Sequence, residues 1–381
     1  GVEVTSSSGV PGASSSITIR GVSSISGSNQ PLMIVDGLPI DNKTLSTAAF
    51  VSDASSNTAF SNRGVDFTNR SADINPEDIE SLVVLKGPEA AALYGIDAAN
   101  GAIVITTKRA KAGAGAVNYS NSFRVETTRK YPELQQTYGL GTSGAGNIIT
   151  TLNGAYEYFG PQYPAGTQFY DNVKDFFQTG FTQKHNLSFE GGAEKLNYRI
   201  STAYTDQQGV VPNSAYKRLN ITGASQGVVN SWLKTDLSMN YSYSTNDQPL
   251  KGSIGPLLGL LVWPQTDNAV NYLTASGTRR TLALGTIGSS EVDNPYFNVN
   301  KNIINSKTNR ILSNLGLTIS PFKWVDVKTN VGIDAYVNQN LIVRHPESAA
   351  AFSRGGTIDV ANDVTTNINL QNLINFKKQK L

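Results

Sequence analysis

The sequence predicts a mostly β protein: a small α/β domain first, then a long antiparallel sheet of the membrane-barrel kind. Three observations predict it. Residues 73–108 read as strand, helix and strand in quick succession. From residue 117 onward, apolar and polar residues alternate with a period of two in eight stretches. The connections between those stretches are long and short by turns.

Within the first unit, residues 81–86 form a β-rich apolar run bounded by the turn pairs Asn75-Pro76 and Gly87-Pro88. Residues 89–94 are Ala-rich and follow a proline suited to a first helical turn. Gly95 fits the left-handed residue that stops a helix. Asn100-Gly101 opens a second apolar β run over 102–107. No catalytic side chain lies in this unit, which reads as a folded part and not a reactive one. Upstream, residues 2–5, 16–20 and 32–35 are short β runs separated by Ser/Gly turns. Arg20-Gly21 and Asp36-Gly37 close two of them by turn chemistry, Gly supplying a positive φ and Asp capping its own turn. Residues 43–72 read as an irregular loop. The Gly/Ala/Lys-rich stretch 110–116 reads as a linker between a domain over 1–109 and a second over 117–381.

The alternation after the linker is strict in places. Leu196, Tyr198, Ile200, Thr202 and Tyr204 share one face, opposite Lys195, Asn197, Arg199, Ser201 and Thr205. Residues 232–245, 311–320, 324–337 and 366–376 behave alike, and 117–127, 184–191 and 216–226 less cleanly. A period of two places one face against an apolar medium and the other against a polar one. A soluble antiparallel sandwich has the same pattern, and the connections decide against it. They run long (128–183), short (191–194), medium (207–215), short (227–231), very long (246–309), short (around Pro321-Phe322) and medium (338–365). Outer-membrane barrels have short periplasmic turns and long extracellular loops, whereas long structureless loops are uncommon in compact soluble domains.

Parity puts Tyr204 and Tyr243 on the apolar face near the outer rim and Tyr119 on that face near the inner rim, as an interfacial aromatic girdle requires. It points Trp232 and Trp324 inward beside the short turns. Either they pack on the first domain or parity fails at the strand ends.

Composition excludes several classes. The chain has 381 residues, a formal charge of +2 with interspersed signs, no cysteine and two histidines. No nucleic-acid footprint stands out, and disulfides and thiolate metal sites are excluded. No apolar run is long enough for a membrane helix, while a slightly polar mean hydropathy suits a barrel with alternate side chains in lipid. Gly139, Gly141 and Gly144 match a dinucleotide fingerprint, but no apolar strand precedes them and no amphipathic helix follows. His185 and His345 lie far apart, which disfavours a metal site or a triad. His185 reads as a polar strand residue at the rim. Asp236, Asp326 and Asp334 fall on the polar face, where a solvated lumen explains them without glycosidase chemistry. The chain is read as a non-enzyme, with no cofactor and no metal.

Several linked motifs carry a resemblance. Ile74-Asn75-Pro76-x-Asp78-Ile79-Glu80-Ser81, Val84-Leu85-Lys86, Ala90-Ala91-Ala92-Leu93-Tyr94-Gly95 and Ala99-Asn100-Gly101-x-Ile103-x-Ile105-Thr106-Thr107-Lys108 resemble the plug-domain signature of SusC/RagA-like TonB-dependent outer-membrane transporters. Val10-Pro11-Gly12, Ile17-x-Ile19-Arg20-Gly21 and Pro31-Leu32-x-x-Val35-Asp36-Gly37-x-Pro39-Ile40 are similar to the same family in the same order. Asn172-Val173-x-x-Phe176-Phe177-x-Thr179-Gly180, His185-Asn186, Gly191-Gly192, Tyr198 and Tyr216-Lys217-Arg218-Leu219-Asn220 look like its early barrel segment. Gly87-Pro88-Glu89 and Ile96-Asp97 depart from the pattern locally.

The resemblance implies an N-terminal plug inside a large antiparallel transmembrane β-barrel. A plug of about a hundred residues has a radius of gyration near 13 Å, too large for an eight-stranded wall, which its own side chains fill. The expectation is about eight of roughly 22 strands, from a mature, truncated chain. Arg20, Gly21, Asp36, Gly37, Lys86, Tyr94, Gly95, Asn100, Gly101 and Lys108 are the expected signature and gating residues, with Arg20 locking the plug against acidic barrel residues. Tyr156, Tyr158, Trp263 and Tyr296 in the long loops either contact a substrate or lid or simply hold the loops together.

The resemblance further implies import of a large nutrient, a glycan or oligopeptide, across the outer membrane of a Gram-negative, Bacteroidetes-type bacterium. A SusD-like surface lipoprotein would be the lid. TonB would pull on a segment upstream of Gly1, and the protein would bind no nucleic acid. Two other readings stay open: a structural or secretion-associated component of the same fold, and a soluble β-rich adhesin or polysaccharide-acting enzyme.

Overall fold

The computed structural model describes residues 1–25, 28–44, 64–110, 113–141, 157–281 and 292–377. It contains two units. The first holds a hairpin, β1 (Val2–Ser6) with β2 (Ser15–Ile19), and a four-stranded sheet made of β3 (Leu32–Val35), β4 (Leu38–Ile40), β5 (Ile79–Leu85) and β6 (Ala102–Thr107). In the order β4-β3-β6-β5, only β3 and β6 run parallel. Helix α1 (Gly87–Tyr94) starts two residues before the expected position, with Pro88 in its first turn, and stops at Gly95, whose φ is 76°. The expected β-α-β unit is thus present, but its two strands pair antiparallel. An eight-residue helix is too short for the usual parallel crossover. Asp36 (φ 50°) and Gly37 (φ 84°) make the β3–β4 turn with both residues left-handed, the geometry of a two-residue hairpin. The core packs Ile19, Met33, Val35, Ile103 and Ile105 with Leu312 from the second unit.

The second unit is one antiparallel sheet of eight strands in chain order: β7 (Gly113–Glu126), β8 (Gly180–Ala193), β9 (Leu196–Gln208), β10 (Ala215–Asn230), β11 (Leu233–Gln248), β12 (Ile303–Phe322), β13 (Val325–Arg344) and β14 (Thr357–Phe376). It does not close on itself, for β7 and β14 are its two edges. All eight expected strands are there, and the later ones run longer than their alternation suggested. β7 begins at Gly113, within the stretch read as linker, where a register irregularity separates Gly113 from Ala116. Short turns and long connections alternate as expected. The long ones carry helices α2 (Asn172–Phe176), α3 (Pro256–Val262) and α4 (Pro295–Lys301). No helix among the described residues is long and apolar enough to cross a membrane.

The burial pattern is the reverse of a soluble protein's. On β9, Leu196, Tyr198, Ile200 and Tyr204 are 38–53% exposed, while Arg199, Ser201 and Thr205 are buried at 6% or less. The same inversion holds on β11, β12 and β13. The first unit lies against the polar face, and the apolar face looks outward with nothing on it. Water would not tolerate so large a continuous apolar surface; hydrocarbon does.

Aromatics mark the edges of this band. Tyr119 and Tyr204 lie outward as expected. Trp232 and Trp324 do not point inward: both occupy two-residue turns and are 48% exposed. Trp324 stacks between Phe322 (5.5 Å) and Phe376 (6.1 Å), so the parity argument fails at strand ends, where the pleat gives way to the turn. His185 also departs from expectation. It sits on the outward face, its Nδ1 2.7 Å from the Tyr119 hydroxyl and its ring against Phe123, so an aromatic setting shelters its polar atoms.

Candidate functional site: a polar seam between plug and wall

The chemistry-bearing residues gather where the first unit meets the polar face of the sheet. Asn75 caps a one-turn 3₁₀ helix, Pro76–Asp78, and Asp78 is its last residue; both side chains turn toward the wall. The Asp78 carboxylate accepts from Arg199 Nη1 (2.6 Å) and Ser201 Oγ (2.7 Å) on β9, from Thr222 Oγ1 (3.0 Å) on β10, and from Asn75 Nδ2 (2.9 Å). Asn75 Nδ2 also donates to Asn186 Oδ1 on β8 (3.2 Å). The Asp78 carboxylate thus ties β9 and β10, and Asn75 beside it adds β8.

A second cluster forms around Arg310 of β12, which is 1% exposed. Its fork bonds Asp334 of β13 twice, Nε to Oδ1 and Nη2 to Oδ2, both at 2.8 Å. Its remaining donors go to the plug: Nη1 to Arg70 O (2.7 Å) and Asp73 Oδ2 (3.2 Å), and Nη2 to Asp41 O (2.9 Å). Asp334 Oδ2 accepts from the Asp41 backbone N–H (2.9 Å), and the Tyr336 hydroxyl donates to Asp41 Oδ2 (3.0 Å). Between the clusters, Arg218 of β10 donates to Ala72 O and Asn220 to Asp73 O (2.7 Å). At the lower end Arg109 bridges Asp36 (3.3 Å) and Asp236 of β11 (3.0 Å). The seam packs closely: its cavity beside Asp78 and Thr222 is about 30 Å³, room for about one water.

The polarity is opposite to the expected one. Arg20 is exposed in its turn, at φ 62°, and wall arginines reach in to plug aspartates instead. Asp36 does not cap its own turn; it accepts from the Thr107 N–H (2.9 Å) and hydroxyl (2.7 Å) and faces Arg109. Asp334 is not a solvated lumen group, being fully buried. Gly37 and Gly95 serve as turn residues, and a Cβ at Gly101 would strike Ile19 and Leu85 O. The Asn100 side chain bonds Ser23 and Ser28. Lys86 precedes α1 as its N-terminal cap residue, Tyr94 packs beside Ala90 and Ala98, and Lys108 N donates to Asp78 O (2.8 Å). The signature residues therefore build the plug, and Arg199, Arg218, Arg310 and Asp73 attach it. Arginine on the polar side of three strands was the available signal.

The hairpin β1–β2 leaves β1 exposed and turns its tip to the wall. Its tip meets the rim that carries the long connections. Asn246 Nδ2 (3.1 Å) and Gln248 Nε2 (3.2 Å) donate to Gly12 O, and Val10 joins a cluster with Phe176, Val211, Leu260 and Val299. Asp66 accepts from Lys251 Nζ (2.7 Å), Ser7 Oγ (2.6 Å) and Ser14 N (2.9 Å). Burial alone would raise the Asp66 carboxyl, but the Lys251 ammonium and the Ser14 and Ser7 bonds outweigh it and hold it below its ordinary value. A carboxyl depressed in the folded state contributes stability above its unfolded pKa and loses it as pH falls through the folded one. Acid is therefore expected to loosen the tip. Hydrogen exchange of the amides in 7–14, normalised to intrinsic rates, should rise with falling pH relative to Asp66→Asn; parallel profiles would refute this.

Of the loop aromatics, Tyr156 lies outside the described residues. The Tyr158 hydroxyl donates to Val262 O (2.7 Å), Trp263 Nε1 to Asp267 Oδ2 (3.1 Å) and the Tyr296 hydroxyl to Asp175 O (3.0 Å). Trp263 is 2% exposed. These three hold the long connections together. Burial raises the Tyr158 and Tyr296 hydroxyl pKa values, so both remain donors at neutral pH. Among the described residues no group of His, Asp and Glu is arranged to hold a metal ion.

A wall that is polar inside and apolar outside, with a folded domain lodged on its inner face, defines the plugged outer-membrane receptor class. Residues 1–102 match the TonB-dependent Receptor Plug Domain, and the resemblance to SusC/RagA-like TonB-dependent outer-membrane transporters is borne out. The chain is similar to the TonB-dependent receptor SusC of Bacteroides thetaiotaomicron, 35% identical over 243 residues, 63% of this chain and 21% of that protein. It is similar along its whole length to the TonB-dependent receptor P26 of Formosa agariphila, 26% identical and covering 35% of it. The chain thus spans between a fifth and about a third of these relatives. In fold it matches the RagAB peptide importer in its closed-closed state, with a TM-score of 0.71 at 22% identity over all of this chain and 42% of that one.

Proposed function

We propose that the intact protein imports a large nutrient, a glycan or oligopeptide, across the outer membrane of a Bacteroidetes-type bacterium, as the channel half of a complex with a SusD-like surface lipoprotein. In this reading residues 1–109 are the plug, 110–116 the connector and 117–381 barrel wall. The observation that carries it is the seam: a folded domain held to the polar face by ion pairs and amide bonds around Asp78 and Arg310, beside apolar contacts such as Leu312 with Ile103 and Phe67 with Ile304. Water can replace the polar bonds when the plug shifts.

The plug is then the gate. TonB, pulling on a segment upstream of Gly1, would draw the hairpin away from its tip contacts at Gly12 and Asp66 and open the seam below the loops. The peptide importer RagAB shares the fold, which supports a peptide cargo, and the likeness to SusC supports a SusC/SusD-type assembly. No bond in the cargo is made or broken.

Residues 1–381 have no cysteine, so an engineered pair has no competitor within them. Gly332 of β13 faces Leu38, and a Cβ there would run into the Leu38 side chain. Leu38→Cys with Gly332→Cys should form a plug–wall disulfide that stops uptake of labelled cargo in cells, and dithiothreitol should restore it. Undiminished uptake with the bond quantitatively formed would sink the gating role.

A further inference from the structure

A second recess lies at the rim of the wall, on the outward side. Gln208, Ala215 and Asp247 form one outward row across β9, β10 and β11, and with Ile303 they line a cavity of about 480 Å³ beneath the 209–214 connection and the end of α4. That volume is typical of a small-molecule site. Six of the lining residues carry amides: Gln178, Gln208, Asn213, Gln248, Asn300 and Asn302. Gln178, Asn213, Asn300 and Asn302 also brace the rim, each donating to a protein acceptor. Each amide carries donors and an acceptor together, the complement of a sugar hydroxyl, which is also both. Asp247 is the one ionisable group in the lining, with Oδ1 accepting from Asn305 Nδ2 (2.6 Å). With one carboxylate and no lysine or arginine in the lining, phosphate or carboxylate ligands are disfavoured. Pro212, Pro249, Val299 and Ile303 supply apolar surface for C–H faces.

Gln248 closes the inner side of the recess: it is 4% exposed, alternates with outward Asp247 and donates Nε2 to Gly12 O in the seam. The outward ligand contacts therefore fall to Gln208 and Asp247.

We propose that this recess binds a neutral, hydroxyl-rich saccharide on the outward rim, apart from any cargo path between plug and wall. Two sources offer that chemistry: a free oligosaccharide, and the sugars of a glycolipid in the outer leaflet. The test uses the intact protein in detergent, titrated with a panel of neutral di- to tetrasaccharides and, separately, with rough-type lipopolysaccharide. Binding is followed by calorimetry and saturation-transfer NMR. Gln208→Ala and Asp247→Ala should each weaken binding at least about tenfold, and Ala215→Trp should fill the recess and abolish it. Heat-modifiable gel mobility reports folding, and the exposed Gln208→Ala decides if the tryptophan variant fails to fold. Saturable binding of panel sugars that these changes weaken supports a free saccharide, and the same behaviour with lipopolysaccharide alone supports a glycolipid. Absence of binding in both arms, or binding that Gln208→Ala leaves unchanged, overturns the proposal.

Discussion

Arg310→Ala is expected to cost the plug's attachment about 3–5 kcal/mol, the usual penalty for removing one partner of a buried ion pair. The size follows from what would be stranded. Asp334 would lose both bonds of a fork, Asp73 would lose a cation 3.2 Å away, and the carbonyls of Arg70 and Asp41 would lose donors, all out of reach of water. Arg310→Lys should recover only part of the loss, because an ammonium cannot offer the planar fork that Asp334 uses. Arg310→Met combined with Asp334→Leu should cost less than the single change, since it strands fewer charges. Hydrogen exchange in the intact protein is the direct measurement. Amides of residues 70–74 and 41 should lose about two to four orders of magnitude of protection, at about 1.4 kcal/mol per tenfold, while the strands of the wall keep theirs. Equal protection in variant and parent would show that the cluster does not hold the plug.

That cluster was hidden from the sequence for a physical reason. Period-two alternation reports only which side of a strand a residue occupies, so Asp334 could be placed on the polar face. It cannot say that Arg310 stands two rows away on the next strand, or that the segment around Asp73 comes to rest between them. Those contacts join residues up to 295 positions apart in the chain. The plug strands, by contrast, were legible because turn pairs such as Asp36-Gly37 and Asn100-Gly101 fix local backbone geometry. The lock expected at Arg20 has no counterpart among the described residues, because a charge in a turn motif says nothing about what it faces.

The wall was legible only while it faced hydrocarbon. The expected connection 246–309 includes residues 303–309, which are strand. From 305 to 309 the outward positions are Asn305, Lys307 and Asn309, so both faces are polar and the period-two signal vanishes although the hydrogen bonds continue. Across the next two strands Lys307 pairs with Gln339, and Gln339 with Asn362. This polar row marks where the outward surface leaves the apolar medium.

The row makes a quantitative prediction. An apolar band about 25 Å tall takes roughly ten residues of a strand tilted by about 40°, which is the length of 311–320 below the row. Ile333, between Ser313 and Ile368, lies inside the band. Leu341, between Asn305 and Val360, lies above the row, although it is just as apolar. Ile333→Arg is therefore expected to destabilise the inserted protein by about 2–4 kcal/mol and Leu341→Arg by about 0–1 kcal/mol. Urea unfolding of the intact protein from lipid vesicles, followed by loss of heat-modifiable mobility, measures both. A soluble sheet would make no such distinction, because two outward residues that already face water would tolerate arginine alike. Equal and small effects at the two positions would place the apolar face in water, and the plugged-barrel reading would fall with it.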